Sequence, residues 1–175
     1  ESVTESDLAL ETTISVPQED GSAREVALNI KGRADRIEFS ENGVIVYDFK
    51  TSRAPKKSSE LLTDIQLALY SYLLTNGSYQ NGDEVKKLEP NQVVTGAALI
   101  QLRSSERENP EVALTQQVAA NQHDEASEIP LESRLGNAAL VVLDEKYEAR
   151  YDEQICKRCP VRTLCPAVPE GKQVF

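Results

Sequence analysis

The chain predicts an α/β domain: a mixed β-sheet that opens as an antiparallel meander, gains further strands, is flanked by helices and ends in an irregular cysteine-rich tail. Three observations carry that prediction. Apolar and β-branched residues alternate with polar ones between Leu8 and Lys50, the apolar period lengthens to a helical one between Leu61 and Leu73, and a strand-like run returns at Val93–Leu102.

The elements follow in order. Leu8–Val16 is rich in Thr, Ile and Val and predicts a strand stopped by Pro17. Gln18–Ser22 is a turn cluster. Val26–Phe39 predicts a long alternating strand, and Glu41-Asn42-Gly43 predicts a hairpin through its Asn-Gly pair. Val44–Lys50 is nearly continuous in apolar residues, which predicts a central strand buried on both faces. Ser52–Ser59 reads as a loop, and the helix that follows has Thr63 and Gln66 at capping-box spacing and Asn76-Gly77 as its stop. Ser78–Asn91 reads as a polar connector, Val93–Leu102 as a strand and Val112–Val118 as a short one. Gln122–Pro130 reads as an acidic loop with His123, the only histidine, exposed in it, and Leu131–Tyr147 as a helix weakened by Gly136. Residues 1–150 are expected to form the core domain and 151–175 a tail packed on it.

Composition narrows the function. The chain has 175 residues, a formal charge of −10 and 39% hydrophobic residues, with no run approaching the length of a membrane span. The first residues lack a secretion signal, so a cytoplasmic location is expected. Methionine is absent throughout, which suggests an N-terminally truncated piece of a longer protein. The charge is uneven. Residues 24–57 carry eight basic and five acidic side chains, residues 106–153 four and twelve, and residues 157–172 four and one. The acidic total argues against a simple nucleic-acid coat, and such a domain would need a neighbouring domain or partner to deliver a polyanion.

Three short stretches point to one site. Gly32-Arg33-Ala34-Asp35-Arg36-Ile37 and Asp48-Phe49-Lys50-Thr51 lie on adjacent strands of the meander, and Gln66-Leu67-Ala68-Leu69-Tyr70 lies on the helix. Asp48 and Lys50, two apart, share a sheet face, while Phe49 points the other way, into the core, and keeps its backbone carbonyl near the acidic groups. Asp35, Asp48 and the Phe49 carbonyl make a hard oxygen site suited to Mg²⁺ or Mn²⁺. Such an ion lowers the pKa of a bound water and offsets charge developing on phosphorus, and Lys50 could orient that water or stabilise the transition state. Gln66 and Tyr70, four apart on one helix face, could bind a phosphate or the lysine. Taken singly, each fragment is more often structural: a solvated D-x-K pair, a common G-x-x-D, a core tyrosine. Their joint order on strand, strand and helix favours a site.

These motifs resemble the signature of the RecB-type nucleases of the PD-(D/E)XK superfamily. The resemblance implies a restriction-endonuclease-like core, with Asp35 and Asp48 as metal ligands, Lys50 as the catalytic lysine and Gln66 and Tyr70 as the accessory catalytic pair. The family usually adds a His or Glu from a helix upstream of the first strand, and this chain offers no match for it.

The tail carries Cys156, Cys159 and Cys165 at C-x2-C-x5-C spacing, so that thiolates separated by two residues in a tight turn converge on one centre. Three free structural cysteines are the alternative. The spacing is similar to that of helicase-nucleases of the AddB and AdnB kind and of the CRISPR-associated nucleases. The resemblance implies a 4Fe–4S cluster on these three residues and one distant upstream cysteine, which is missing here. Arg33, Arg36 and Arg53 beside the site, with Lys157, Arg158 and Arg162 in the tail, are candidates to touch the nucleic-acid backbone. The expected function is that of a Mg²⁺- or Mn²⁺-dependent deoxyribonuclease domain, acting on single-stranded DNA or broken ends within a larger helicase-nuclease of double-strand-break repair. A non-catalytic DNA-binding or helicase-docking module is the alternative.

Overall fold

A computed structural model describes residues 1–51, 56–102, 113–114, 120–145 and 149–168. The chain divides into two compact units, Glu1–Asn137 and Ala138–Phe175.

The first unit is built on a sheet of β1 (Ser2–Pro17), β2 (Ala23–Ser40), β3 (Gly43–Lys50), β4 (Ser78–Asn81), β5 (Glu84–Lys86), β6 (Val94–Gln101) and β7 (Ala113–Leu114), in the order β5-β4-β1-β2-β3-β6-β7. β1, β2 and β3 form the expected antiparallel meander, and β6 adds to β3 in parallel, which makes the sheet mixed. β1 begins at Ser2 rather than Leu8, because the mostly polar residues before Leu8 pair with β2 at every position but Glu5, Ser2 with Glu38 and Val3 with Ile37 among them. Pairing with a long partner overrides weak local propensity here.

The β2–β3 hairpin closes through Glu41 and Asn42, with Ser40 paired to Gly43. Gly43 takes φ +124° at the start of β3, so the glycine serves the strand rather than the centre of the turn. β3 lies inside the sheet as expected. Val44, Val46 and Asp48 are buried on one face, but Phe49 is 38% exposed and does not enter the core. The β3–β6 ladder is near its end at that point, with Lys50 paired to Gln101, and less of the sheet is left to cover the ring.

The expected single helix is two, α1 (Ser58–Leu62) and α2 (Ile65–Asn76). The cap of α2 is Asp64, not Thr63: Asp64 Oδ1 accepts from Gln66 N at 2.9 Å and Leu67 N at 3.2 Å, while Thr63 ends α1. Gly77 ends α2 as expected, and a Cβ there would stand 2.2 Å from the Ala9 carbonyl, so the helix end lies against β1. The core forms between one sheet face and these helices, from Leu8, Leu10, Ala34, Ile37, Val44, Val46 and Leu99 against Leu61, Leu67, Tyr70, Leu73 and Leu74.

The polar stretch after α2 holds the hairpin β4–β5, turned at Gly82 with φ +62°. The stretch was expected only as a polar connector, because its side chains lack the alternation that marks a half-buried strand. The stretch expected as an acidic loop contains α3 (Ala120–Ala126), and His123 is fully buried rather than exposed. Its Nδ1 lies 3.4 Å from Asp124 Oδ1 and its Nε2 3.3 Å from Arg134 Nη1, so both ring nitrogens face polar partners. Arg134 can only donate, which makes Nε2 the acceptor and leaves the proton on Nδ1. Asp124 Oδ1 also receives Leu131 N, at the start of α4 (Leu131–Leu143).

The second unit takes the end of α4, then α5 (Glu153–Cys156), capped by Asp152, and a 3₁₀ turn at Arg162–Leu164. Such short pieces match the irregular tail expected from its prolines. Among the described residues no helix is long and apolar enough to cross a membrane.

Candidate active site

Asp48 and Lys50 sit on β3 with their side chains in contact, Lys50 Nζ 2.6 Å from Asp48 Oδ2. The two-residue spacing has the consequence expected of a strand. The Asp48 side chain is 8% exposed and that of Lys50 30%, so the pair stands at the boundary of core and solvent.

α2 lies over this pair and supplies Gln66 and Tyr70. Gln66 Oε1 receives Lys50 Nζ at 3.0 Å, and Gln66 Nε2 reaches Asp48 Oδ1 at 2.9 Å and the Tyr70 hydroxyl at 3.0 Å. The Tyr70 hydroxyl lies 3.1 Å from Asp48 Oδ1 and 3.0 Å from the Arg33 carbonyl. Its ring is in the core while its oxygen is in the site, so the structural and the site readings of this residue both hold. Burial, opposed by the Gln66 hydrogen bond and aided by the Asp48 charge, pushes the phenol up to about 12. It is therefore a neutral hydroxyl at ordinary pH.

Asp35 lies mid-strand on β2, which runs on to Ser40, and comes beside β3 where the ladder ends at the Arg36–Tyr47 pair. Phe49 N donates to Asp35 Oδ2 at 2.6 Å, which fixes Asp35 against the backbone between Asp48 and Lys50. A sheet irregularity accompanies this placement. The β1–β2 register passes from Thr4–Arg36 to Ser6–Ala34 without pairing Glu5 and Asp35, and Glu5 has φ +50°. Buried positions step from Val3 to Ser6 on β1 and from Ala34 to Ile37 on β2, so both strands change phase here. Local distortions of this kind re-aim side chains beside functional sites. Nothing in the amino-acid pattern marked Glu5.

The donors suit a small hard cation. The buried Asp48 Oδ2 receives no aligned hydrogen bond, its neighbour being the Lys50 ammonium, and both carboxylates offer oxygen. Among the described residues no three histidine, cysteine or carboxylate side chains converge on one point. An ion here would therefore rest on two carboxylates, a carbonyl and water, the sparse coordination Mg²⁺ accepts.

The basic residues are placed less simply. Arg33 pairs with Glu5 at 3.0 Å and Arg36 with Glu38 at 2.7 Å, while Arg53 lies outside the described residues. In the tail, Lys157 pairs with Glu153 at 2.9 Å, and Arg158 is exposed. Cys156 is buried and its sulfur lies 3.3 Å from Asp152 N, and Cys159 and Cys165 are half-buried. Among the described residues these three thiols do not form a group that could hold a metal ion as they stand.

A mixed sheet flanked by helices, whose interior hairpin carries Asp35, Asp48 and Lys50 beneath a helix bearing Gln66 and Tyr70, defines a restriction-endonuclease-like α/β protein. Residues 2–166 match the family described as the PD-(D/E)XK nuclease superfamily, and the chain belongs to that superfamily. No curated protein matches it. Among solved structures it is similar to one titled "Crystal structure of SSO0001", at 19% identity and a TM-score of 0.41, over 95% of this chain and 60% of that one. The chain thus spans less than two thirds of that protein's length.

Proposed function

We propose that this chain is a Mg²⁺- or Mn²⁺-dependent deoxyribonuclease domain that cleaves single-stranded DNA or broken ends as part of a larger helicase-nuclease. The observation that carries the reading is the closed set of contacts joining Asp48, Lys50, Gln66 and Tyr70, with Asp35 held on the adjoining backbone. Surface pairs are not normally fixed from three elements at once.

Asp35, Asp48 and the Phe49 carbonyl would hold the ion, which supplies an acidic water and neutralises charge on the phosphate. The chain's own residues do the rest. Gln66 holds the Lys50 ammonium at the rim of the site, where it can donate to a phosphate oxygen or to the water. Tyr70, kept protonated, holds Gln66 and the inner oxygen of Asp48. The Phe49 amide restrains Asp35.

The helicase association rests on the RecB-type motifs and on the acidic balance, which makes an attached DNA-translocating partner useful for delivery. A 4Fe–4S cluster on Cys156, Cys159, Cys165 and a fourth thiol would require the tail to close around it. Iron and sulfide content after anaerobic reconstitution, with Cys159→Ser as control, tests that part separately.

The central test is cleavage of labelled single-stranded DNA with Mn²⁺ by the chain, Asp48→Ala and Lys50→Ala. Cleavage by the unmodified chain alone is the expected result. Equal cleavage by all three sinks the assigned chemistry. Salt-sensitive DNA binding without cleavage at any metal concentration identifies the non-catalytic module instead.

A further inference from the structure

Asp64 is a buried carboxylate to which the catalytic reading gives no role. Its side chain is 4% exposed, and it joins three parts of the chain. Oδ1 accepts from Gln66 N and Leu67 N, Oδ2 pairs with Lys56 Nζ, and its own N–H donates to Leu61 O at 3.1 Å, at the end of α1.

The position explains why this matters. Gln66 is the second residue of α2, and the first turn of a helix has no intrahelical acceptors for its N–H groups, so it frays unless capped. Yet Gln66 must hold its amide between Asp48 and Lys50 at 2.9 and 3.0 Å. Lys56, on the segment leading from Lys50 to α1, reaches the same carboxylate. One side chain therefore restrains the backbone of Gln66 and holds Lys56, just before α1.

We propose that Asp64 is a positioning residue of the nuclease site, acting through the Gln66 backbone on the Lys50 ammonium; this rests on the nuclease reading above. The cap is the main tie and the Lys56 pair the lesser one, since that ammonium is about half exposed.

The test compares Asp64→Ala, Asp64→Asn, Gln66→Ala and the double variant Asp64→Ala/Gln66→Ala in single-turnover cleavage with Mn²⁺. Asp64→Ala should lower the maximal single-turnover rate constant about tenfold with the half-saturating DNA concentration little changed, as a small misplacement of a reacting group does. Asn caps as well as Asp and should restore most of the rate. The double variant should be no slower than Gln66→Ala. A Gln66-independent, multiplicative loss, or an Asn variant as slow as the Ala variant, overturns the proposal.

A second readout needs no catalysis. The side-chain amide resonances of Gln66 should be dispersed in the unmodified chain and in Asp64→Asn, and should collapse toward free-glutamine values in Asp64→Ala. If the unmodified chain cleaves nothing, the nuclease reading fails while this readout still decides the role of Asp64: unchanged resonances in Asp64→Ala refute it.

Discussion

The Gln66 amide spans Asp48 and Lys50, its nitrogen 2.9 Å from Asp48 Oδ1 and its oxygen 3.0 Å from Lys50 Nζ. A carboxylate only accepts and an ammonium only donates, so these two neighbours fix which end of the amide faces which. An amide is the one side-chain group of this length with both a donor and an acceptor end. Gln66→Glu should therefore fail where size alone would permit it. It would keep the acceptor for Lys50 but set a carboxylate against Asp48 and remove the donor to the Tyr70 hydroxyl. We expect at least a tenfold loss of cleavage, in the range seen for groups that orient ligands, measured under single turnover. Activity within twofold of the parent would show that the donor end is unused.

Tyr72 gives a pH dependence away from the site. Burial first, then the hydrogen bond to Glu132 and its charge, raise the phenol from 10.0 to about 12. A raised acid favours the protonated, folded form. The contribution is complete below pH 10, where both states are protonated, and is lost as pH rises through about 12. Tyr72→Phe removes this dependence and the 2.9 Å bond to Glu132. Urea unfolding at pH 8 should show a loss of about 1 kcal/mol in the variant, and the gap to the parent should narrow between pH 10 and 12. A gap that stays constant across that range contradicts the assignment.

Much of this could be read from the amino-acid pattern, and the misses have physical causes. The meander, β6, α4 and the proximity of Asp35, Asp48, Lys50, Gln66 and Tyr70 were legible, because periodicity and spacing carry them directly. Asp64 was passed over for Thr63, since both precede Gln66 and only the backbone break after Leu62 decides between them. The β4–β5 hairpin was missed because β5 is exposed throughout and shows no burial alternation. His123 was misread because its partners Asp124 and Arg134 make a polar stretch look solvated, whereas they satisfy a buried ring. Phe49 was assigned to the core by alternation alone, which cannot see that the β2–β3 ladder ends at Tyr47, two residues before it.

Gly43 and Gly21 separate two effects of a missing Cβ. Both have positive φ, +124° and +83°. A Cβ on Gly21 would meet nothing within 4 Å, whereas one on Gly43 would stand 2.4 Å from Thr95 Cγ2 and 2.8 Å from the Val93 carbonyl. Gly21→Ala should cost only the conformational term, about 1–2 kcal/mol. Gly43→Ala adds a clash with backbone that cannot move without disturbing the β3–β6 pairing, so about 3 kcal/mol or more is expected. Denaturant midpoints of the two variants check the order, and equal losses would mean that Thr95 and Val93 yield freely.

The two aspartates should separate when each is changed to asparagine. Asp35 is held by the Phe49 amide at 2.6 Å, and an asparagine oxygen can accept the same bond, so Asp35→Asn should leave stability within about 0.5 kcal/mol. Asp48 sits deeper and pairs with Lys50 at 2.6 Å while its other oxygen takes Gln66 and Tyr70. Asp48→Asn leaves that ammonium without its counter-charge. The cost is below the several kcal/mol of a fully buried pair because the Lys50 side chain is 30% exposed, and about 1–3 kcal/mol is expected. Metal binding should show no such contrast. Each change removes one anionic donor from a hard oxygen site, and since changes one shell further out already cost about 10–100-fold, each should weaken Mn²⁺ binding at least that much in calorimetric titration. If Asp35→Asn keeps both its stability and its Mn²⁺ affinity, Asp35 is a structural acceptor for Phe49 and the ion rests elsewhere.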